Sequence, residues 1–167
     1  MLKLKDLTSQ TPTDIRSVQM NISSPKELKK IAEKINKVIL PGDFMFLYGE
    51  IGTGKTTFTR FLINSLELEN KLPESEVLSP TFNIVYEYEV NMKLIKHYDL
   101  YRLKSKGDLN NLGMFDNSND CITIIEWPEL IDQKPINRLE LYFKYESNME
   151  KRKLKIYPYG RLKENKF

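Results

Sequence analysis

The chain of 167 residues holds one cysteine, one histidine and one tryptophan. A lone Cys121 cannot close an internal disulfide, so a reducing, cytoplasmic setting is expected. So few soft ligands also leave nothing to support a zinc site. No apolar run approaches the roughly 20 residues of a membrane helix. The opening MLKLKDLTSQTPTD has no apolar stretch of secretory type, so no membrane association is expected. Neither sign of charge prevails: the net +3 is too small by itself to imply a nucleic-acid partner. The strongest local imbalance is KRKLKIYPYGRLKENK, where a solvated basic end is expected and a phosphate-backbone contact is the second reading. Repeats, low-complexity tracts and linkers are absent as well. The expected organisation is a flexible segment over residues 1–14, one globular domain over 15–158 and a basic tail over 159–167.

Glycine is scarce too, yet three of the seven fall within residues 49–54. The flanking pattern gives them a context. Residues 17–22 can form a short strand. Ser24, Pro25 and Glu27 then make a helix start with a capping box, and Leu28, Ile31, Ala32, Ile35, Val38 and Ile39 recur at helical spacing. Pro41-Gly42-Asp43 ends that helix. Phe44–Tyr48 is a continuous apolar run of strand length, as in a buried parallel strand. After the glycines, residues 56–66 read as a second helix with Phe58, Phe61, Leu62 and Leu66 inward. Residues 83–89 and 93–98 alternate around a short turn and predict a hairpin. A short helix is expected over 108–112 and a loop over 115–120. Residues 121–125 (CITII) make a second fully apolar strand. Arg138–Tyr145 and residues 151–157 predict a closing hairpin across a turn at 147–150. Helices alternating with buried strands indicate an α/β fold, its mainly parallel sheet extended by antiparallel hairpins; together with the glycine loop at 49–54, a three-layer fold of P-loop NTPase type is expected.

Gly49-x-x-x-x-Gly54-Lys55-Thr56 is the P-loop pattern, and it stands between a buried strand and a helix as the mechanism requires. Glycines let successive N–H groups point into one concave nest, and the following helix adds a positive dipole end. The phosphates of ATP are therefore expected against Glu50, Gly52, Thr53, Gly54, Lys55, Thr56 and Thr57. Lys55, exposed at the helix start, would reach the β- and γ-phosphates, and the Thr56 hydroxyl would ligate Mg²⁺. Such a metal needs a nearby carboxylate. Glu126, following a strand apolar on both faces, is the first choice; Asp99, following a half-exposed alternating strand, is the second, and both could serve. Ser79-Pro80-Thr81-Phe82 reads as an ordinary loop, with a γ-phosphate-sensing segment as the other reading. Trp127 could cover the site or pack against the core. His97 reads as a cross-strand packing residue and Cys121 as a buried thiol.

GDFMFLYGEIGTGKTTF, LSPTFNIVYEY, HYDLYRL and ITIIEWPE, in this order, resemble the bacterial TsaE (YjeE) family. These are small ATPases of tRNA threonylcarbamoyladenosine (t6A) biosynthesis. The likeness runs from about residue 17 to about residue 157. Glu50-Ile51 stands where the family often has Asp-Leu, and the first ~14 and last ~8 residues have no clear counterpart. The resemblance implies an intracellular Mg²⁺-dependent ATPase acting with two partners of sugar-kinase-like fold, of TsaB and TsaD types. One of these modifies adenosine 37 of tRNAs reading ANN codons, so tRNA is reached through the partners. ATP hydrolysis would drive turnover of that assembly rather than the transfer itself. By motif position the resemblance gives Lys55, Asp99 and Glu126 catalytic importance and Thr56 and Glu126 the metal. It puts Thr81 in a switch-like segment and Trp127 at the site. It brings Ser24 and a basic residue of the last hairpin, Lys151 or Arg152, to the nucleotide.

No arginine finger or water-orienting residue is evident, so slow hydrolysis by the isolated chain is expected. A small-molecule kinase on the same scaffold is the alternative, but no Arg-rich lid is visible. A GTPase switch would need an Asn-Lys-x-Asp run, which the chain lacks.

Overall fold

The computed structural model describes residues 17–146 and 151–167; the segment read as flexible, 1–14, and the turn at 147–150 lie outside them. The first strand, β1 (Val18–Ile22), leads into helix α1 (Pro25–Asn36). Ser24 caps this helix by accepting from the Glu27 amide at 3.4 Å, while the Glu27 carboxylate accepts from the Ser23 amide at 2.6 Å. The reciprocal cap thus closes one residue earlier than the capping-box pattern implies.

Strand β2 (Phe44–Tyr48) runs into helix α2 (Lys55–Glu69), which continues three residues beyond the 66 expected. The hairpin β3 (Val85–Val90) and β4 (Lys93–Asp99) follows. Its first strand begins two residues late because Asn83 and Ile84 still belong to a turn, with Ile84 in the left-handed region (φ 69°). Helix α3 (Lys106–Asn110) starts two residues early because Ser105 and Asp108 cap it reciprocally. Then come β5 (Cys121–Glu126), β6 (Arg138–Tyr145) and β7 (Arg152–Tyr159).

The seven strands form one sheet in the order β1-β7-β6-β2-β5-β4-β3. The four central strands, β6, β2, β5 and β4, are parallel, and β7, β1 and β3 join antiparallel. Strand β2 is thus flanked on both sides, which is why all of FMFL is buried. One face of the sheet packs Met45, Leu47, Leu141 and Phe143 against Leu28, Ile31, Phe58 and Leu62 of the two long helices. The other face buries Phe44, Phe46, Tyr98 and Ile125 beneath Leu100, Leu109, Met114 and Ile131. Burying each such side chain contributes roughly 1.5–3 kcal/mol, so both faces anchor the carboxyl ends of β2, β4 and β5.

Two expectations need correction. Strand β4 is not half-exposed: β3 covers its outer edge, and His97, Tyr98 and Asp99 are all buried. Nor is the end of the chain solvated throughout. Gly160–Glu164 forms a 3₁₀ turn with Leu162 fully buried. Arg161 forks onto the buried Asp43 carboxylate and onto the Val38 carbonyl, at 3.1 and 3.2 Å to the latter. Among the described residues no helix is long and apolar enough to cross a membrane.

Candidate phosphate-binding site

Two glycines show why the loop after β2 tolerates so few side chains. A Cβ on Gly49 would lie 2.4 Å from the Phe143 carbonyl oxygen, so β6 presses directly on the loop. Gly54, at φ 112° and ψ 13°, is the N-cap of α2 and supplies no capping side chain. The left-handed turn there is strained for any residue with a Cβ. It leaves the first amides of α2 open to an anion.

Beside that turn lies a cleft of about 380 Å³. Gly52, Gly54, Lys55, Thr56 and Thr57 line it on one side, and Ser79, Thr81, Asp99, Glu126 and Trp127 on the other. Lys55 is not exposed, as its place at a helix start suggested, but 4% accessible. Its ammonium donates to the carbonyls of Gly49 at 2.6 Å and Glu50 at 3.0 Å and sits 4.0 Å over the Trp127 ring. Burial lowers its pKa, an effect opposed by Glu126, Asp99 and Glu129.

The Thr56 hydroxyl lies 2.9 and 3.1 Å from the two carboxylate oxygens of Glu126. Their approach follows from register, since Leu47 and Glu126 are direct partners across β2 and β5. The same oxygen, Glu126 Oε1, is 2.9 Å from His97 Nε2, and both residues are buried. His97 Nδ1 is buried with no hydrogen-bond partner. The one labile proton of a neutral ring therefore belongs on Nε2, where it is donated to the carboxylate. The sequence reading missed this contact and made His97 a packing residue. The available signal was that the only histidine stands two residues before Asp99 on a strand adjoining that of Glu126.

Asp99 does different work. Its Oδ2 accepts from Ser79 Oγ at 2.9 Å and Thr81 Oγ1 at 2.6 Å, and its Oδ1 accepts from the Tyr101 amide at 2.9 Å. The carboxylate thus ties the Ser-Pro-Thr segment to the end of β4. Trp127, at φ 56°, turns the chain out of β5 and packs its ring 4.9 Å from Tyr101.

Other expected site residues stand back from the cleft. Thr53 is buried and donates its hydroxyl to the Glu50 carbonyl at 2.7 Å, holding the loop from behind. Glu50 contributes that carbonyl, and Ser24 is occupied in capping α1. Arg152 Nη2 reaches the Gly52 carbonyl at 3.5 Å, so β7 touches the loop at its tip.

The donor set suits a magnesium polyphosphate. Mg²⁺ takes hard oxygen ligands and keeps phosphates and waters in its shell, and a hydroxyl and a carboxylate converge at the start of α2 beside the Lys55 ammonium. Among the described residues no cluster of three or more His, Cys, Asp or Glu could hold a metal by itself.

A family model described as "Threonylcarbamoyl adenosine biosynthesis protein TsaE" matches residues 22–154. A Rickettsia conorii protein named "tRNA threonylcarbamoyladenosine biosynthesis protein TsaE" is 38% identical over 110 residues, 66% of this chain and 61% of that protein. The chain thus spans about three fifths of that relative's length. A protein of the same name from Aquifex aeolicus is 34% identical over 137 residues, 81% of this chain and 92% of its own length. The solved structure of Bacillus subtilis YdiB superposes with a TM-score of 0.70 at 26% identity, covering 88% of each chain.

Proposed function

The chain belongs to the TsaE family, and from that we propose that it is a Mg²⁺-dependent ATPase of t6A formation at adenosine 37 of tRNA. Turnover of ATP resets the assembly that transfers the threonylcarbamoyl group. That assembly contains two proteins of sugar-kinase-like fold, of TsaB and TsaD types, and it acts on tRNA in the cytoplasm. The observation that carries this reading is the convergence of Thr56, Glu126 and Lys55 at the start of α2.

Each residue has a task in this reading. The loop amides and the open N-terminus of α2 bind phosphate oxygens, and Lys55 exchanges its two carbonyl partners for them. Thr56 and Glu126 are the protein's ligands for Mg²⁺, which when bound offsets the negative charge of the triphosphate. Two buried carboxylates, Asp99 and Glu126, face that seat. A divalent cation is what lets a polyanion approach them. Asp99 holds Ser79 and Thr81 across the cleft, so their hydroxyls are positioned to respond to the γ-phosphate. Trp127 closes the site over Lys55 and excludes water from it.

Among the described residues no arginine lines the cleft. Charge developing in the transition state therefore depends on Lys55 and the metal, and hydrolysis by the chain alone is slow. The test is reconstitution of t6A formation with the partner pair and tRNA, with ATP turnover followed in parallel. Formation that stops without this chain, and ATPase stimulated by the partners, is the expected result. Undiminished multiple turnover in its absence contradicts the proposal.

A further inference from the structure

Strands β1, β7 and β6 cover α1 and α2 with one face only. Leu154, Ile156, Leu141 and Phe143 point into that core, so the alternate residues face the other way. There the sheet carries a concavity of about 690 Å³ whose lining, among the described residues, comes from the three strands. Its walls are Lys144, Lys153 and Lys155 with Tyr142, Tyr157 and Tyr159, and Gln19 at the edge.

The cross-strand register makes this face unfavourable as mere surface. Lys144 and Lys153 are direct partners, and like charges directly opposite destabilise a sheet. Lys155 follows on the same side, two residues or about 7 Å along β7. Among the described residues one carboxylate offsets one of these lysines. Glu146 pairs with Lys153 at 3.1 Å. Glu140 is buried and already meets Arg138 at 2.8 Å, Lys134 at 3.1 Å and the Tyr142 hydroxyl at 3.0 Å. Tyrosine rings stand among the lysines: Tyr142 and Tyr157 meet edge to face at 5.5 Å, and the Lys155 ammonium lies 4.9 Å from the Tyr157 ring centre.

We propose that this basic, tyrosine-floored sheet face is a binding site for single-stranded RNA. Lysines spaced along and across strands suit successive phosphates of a flexible strand. Half-buried aromatic rings on an open sheet offer bases a stacking platform without demanding a sequence. An acidic protein segment would use the lysines but gain little from the rings, so RNA is the better match. Lys144 also lines the cavity behind Gly49 and Glu50, so an occupied face adjoins the phosphate loop.

The test uses the full chain, a short fluorescein-labelled oligouridylate and fluorescence anisotropy. Three lysines give a slope of about −2 in log K against log salt, hence roughly fifteenfold weaker binding at fourfold higher salt. Lys144→Ala with Lys155→Ala cuts the slope to about −0.7 and weakens binding about tenfold, with ATP affinity unchanged. Lys26→Ala with Lys30→Ala, an equal change of charge on α1, has no such effect. Tyr157→Ala loses at least about fivefold, and Tyr157→Phe, which keeps the ring, restores it. The proposal is overturned if the Lys144/Lys155 variant binds as tightly as the unaltered chain. It is equally overturned if polyglutamate displaces the oligouridylate as well as unlabelled RNA does, since the face would then serve an acidic protein.

Discussion

Replacing His97 by phenylalanine separates the fold from the metal site. The larger phenyl ring must be accommodated at a fully enclosed position beside Glu126, and the substitution deletes the 2.9 Å bond to its carboxylate. A hydrogen bond to a charged acceptor contributes about 1.5–3 kcal/mol. Against that loss, the buried and unpartnered Nδ1 disappears, relieving about 1–3 kcal/mol of desolvation. The two nearly cancel, leaving mainly the cost of the larger ring, so urea unfolding should show a loss of about 1–3 kcal/mol with the fold retained. Binding of magnesium nucleotide should not be spared. Glu126 would keep Thr56 as its partner but lose the group that fixes its plane, and loss of an outer partner of a metal ligand typically costs 10–100-fold in affinity. Calorimetric titration with ADP, in magnesium and again in EDTA, reads the difference. His97→Phe should bind about tenfold or more weakly in magnesium and unchanged in EDTA, and His97→Gln, whose amide can still donate, should recover part of the loss. Equal weakening under both conditions would refute the reasoning, as would an intact magnesium increment.

Lys55→Ala should abolish measurable phosphate-dependent binding. It should also lower stability by about 1–3 kcal/mol, seen as a reduced urea midpoint, because the buried ammonium holds the Gly49 and Glu50 carbonyls. Gly49→Ala should cost at least about 2 kcal/mol, and an unchanged melting temperature would show that β6 can yield at Phe143. Glu140 bears on acid stability: burial tends to raise its pKa, but Arg138, Lys134 and Tyr142 outweigh it and hold the carboxyl below its ordinary 4.5. Its folded value being depressed, the stability it confers is complete above pH 4.5 and is lost as pH falls through the folded value. Unfolding midpoints measured across that acid range should therefore fall less steeply for Glu140→Gln than for the unaltered chain.

Much of the centre of the molecule was legible because its signals are local. FMFLY and CITII are apolar on both faces, which only strands buried in a sheet's interior tolerate, and Gly54-Lys55-Thr56 marks the loop between strand and helix. The closeness of Thr56 to Glu126 was inferable from placing those two strands side by side. What the sequence hid depends on neighbours distant along the chain. Strand β4 alternates like a half-exposed strand, but β3, β5 and the Ser-Pro-Thr segment at 79–81 together bury His97 and Asp99. Lys55 reads as an exposed cation until Trp127, 72 residues later, closes over it. The end of the chain looks solvated by composition, yet Leu162 is buried in the core and Arg161 meets Asp43, 118 residues away in sequence. Ser24 is an N-cap by every local criterion, and it does cap α1.

The most direct test is a crystal grown with Mn²⁺ and a non-hydrolysable ATP analogue, read by the anomalous signal of the metal. The expected result is one strong peak about 2.0–2.2 Å from Thr56 Oγ1, with Glu126 as ligand or one water away and Lys55 turned from its carbonyls onto phosphate. A metal peak held elsewhere, with Thr56 still bonded to Glu126 and Lys55 still folded onto Gly49, would contradict it.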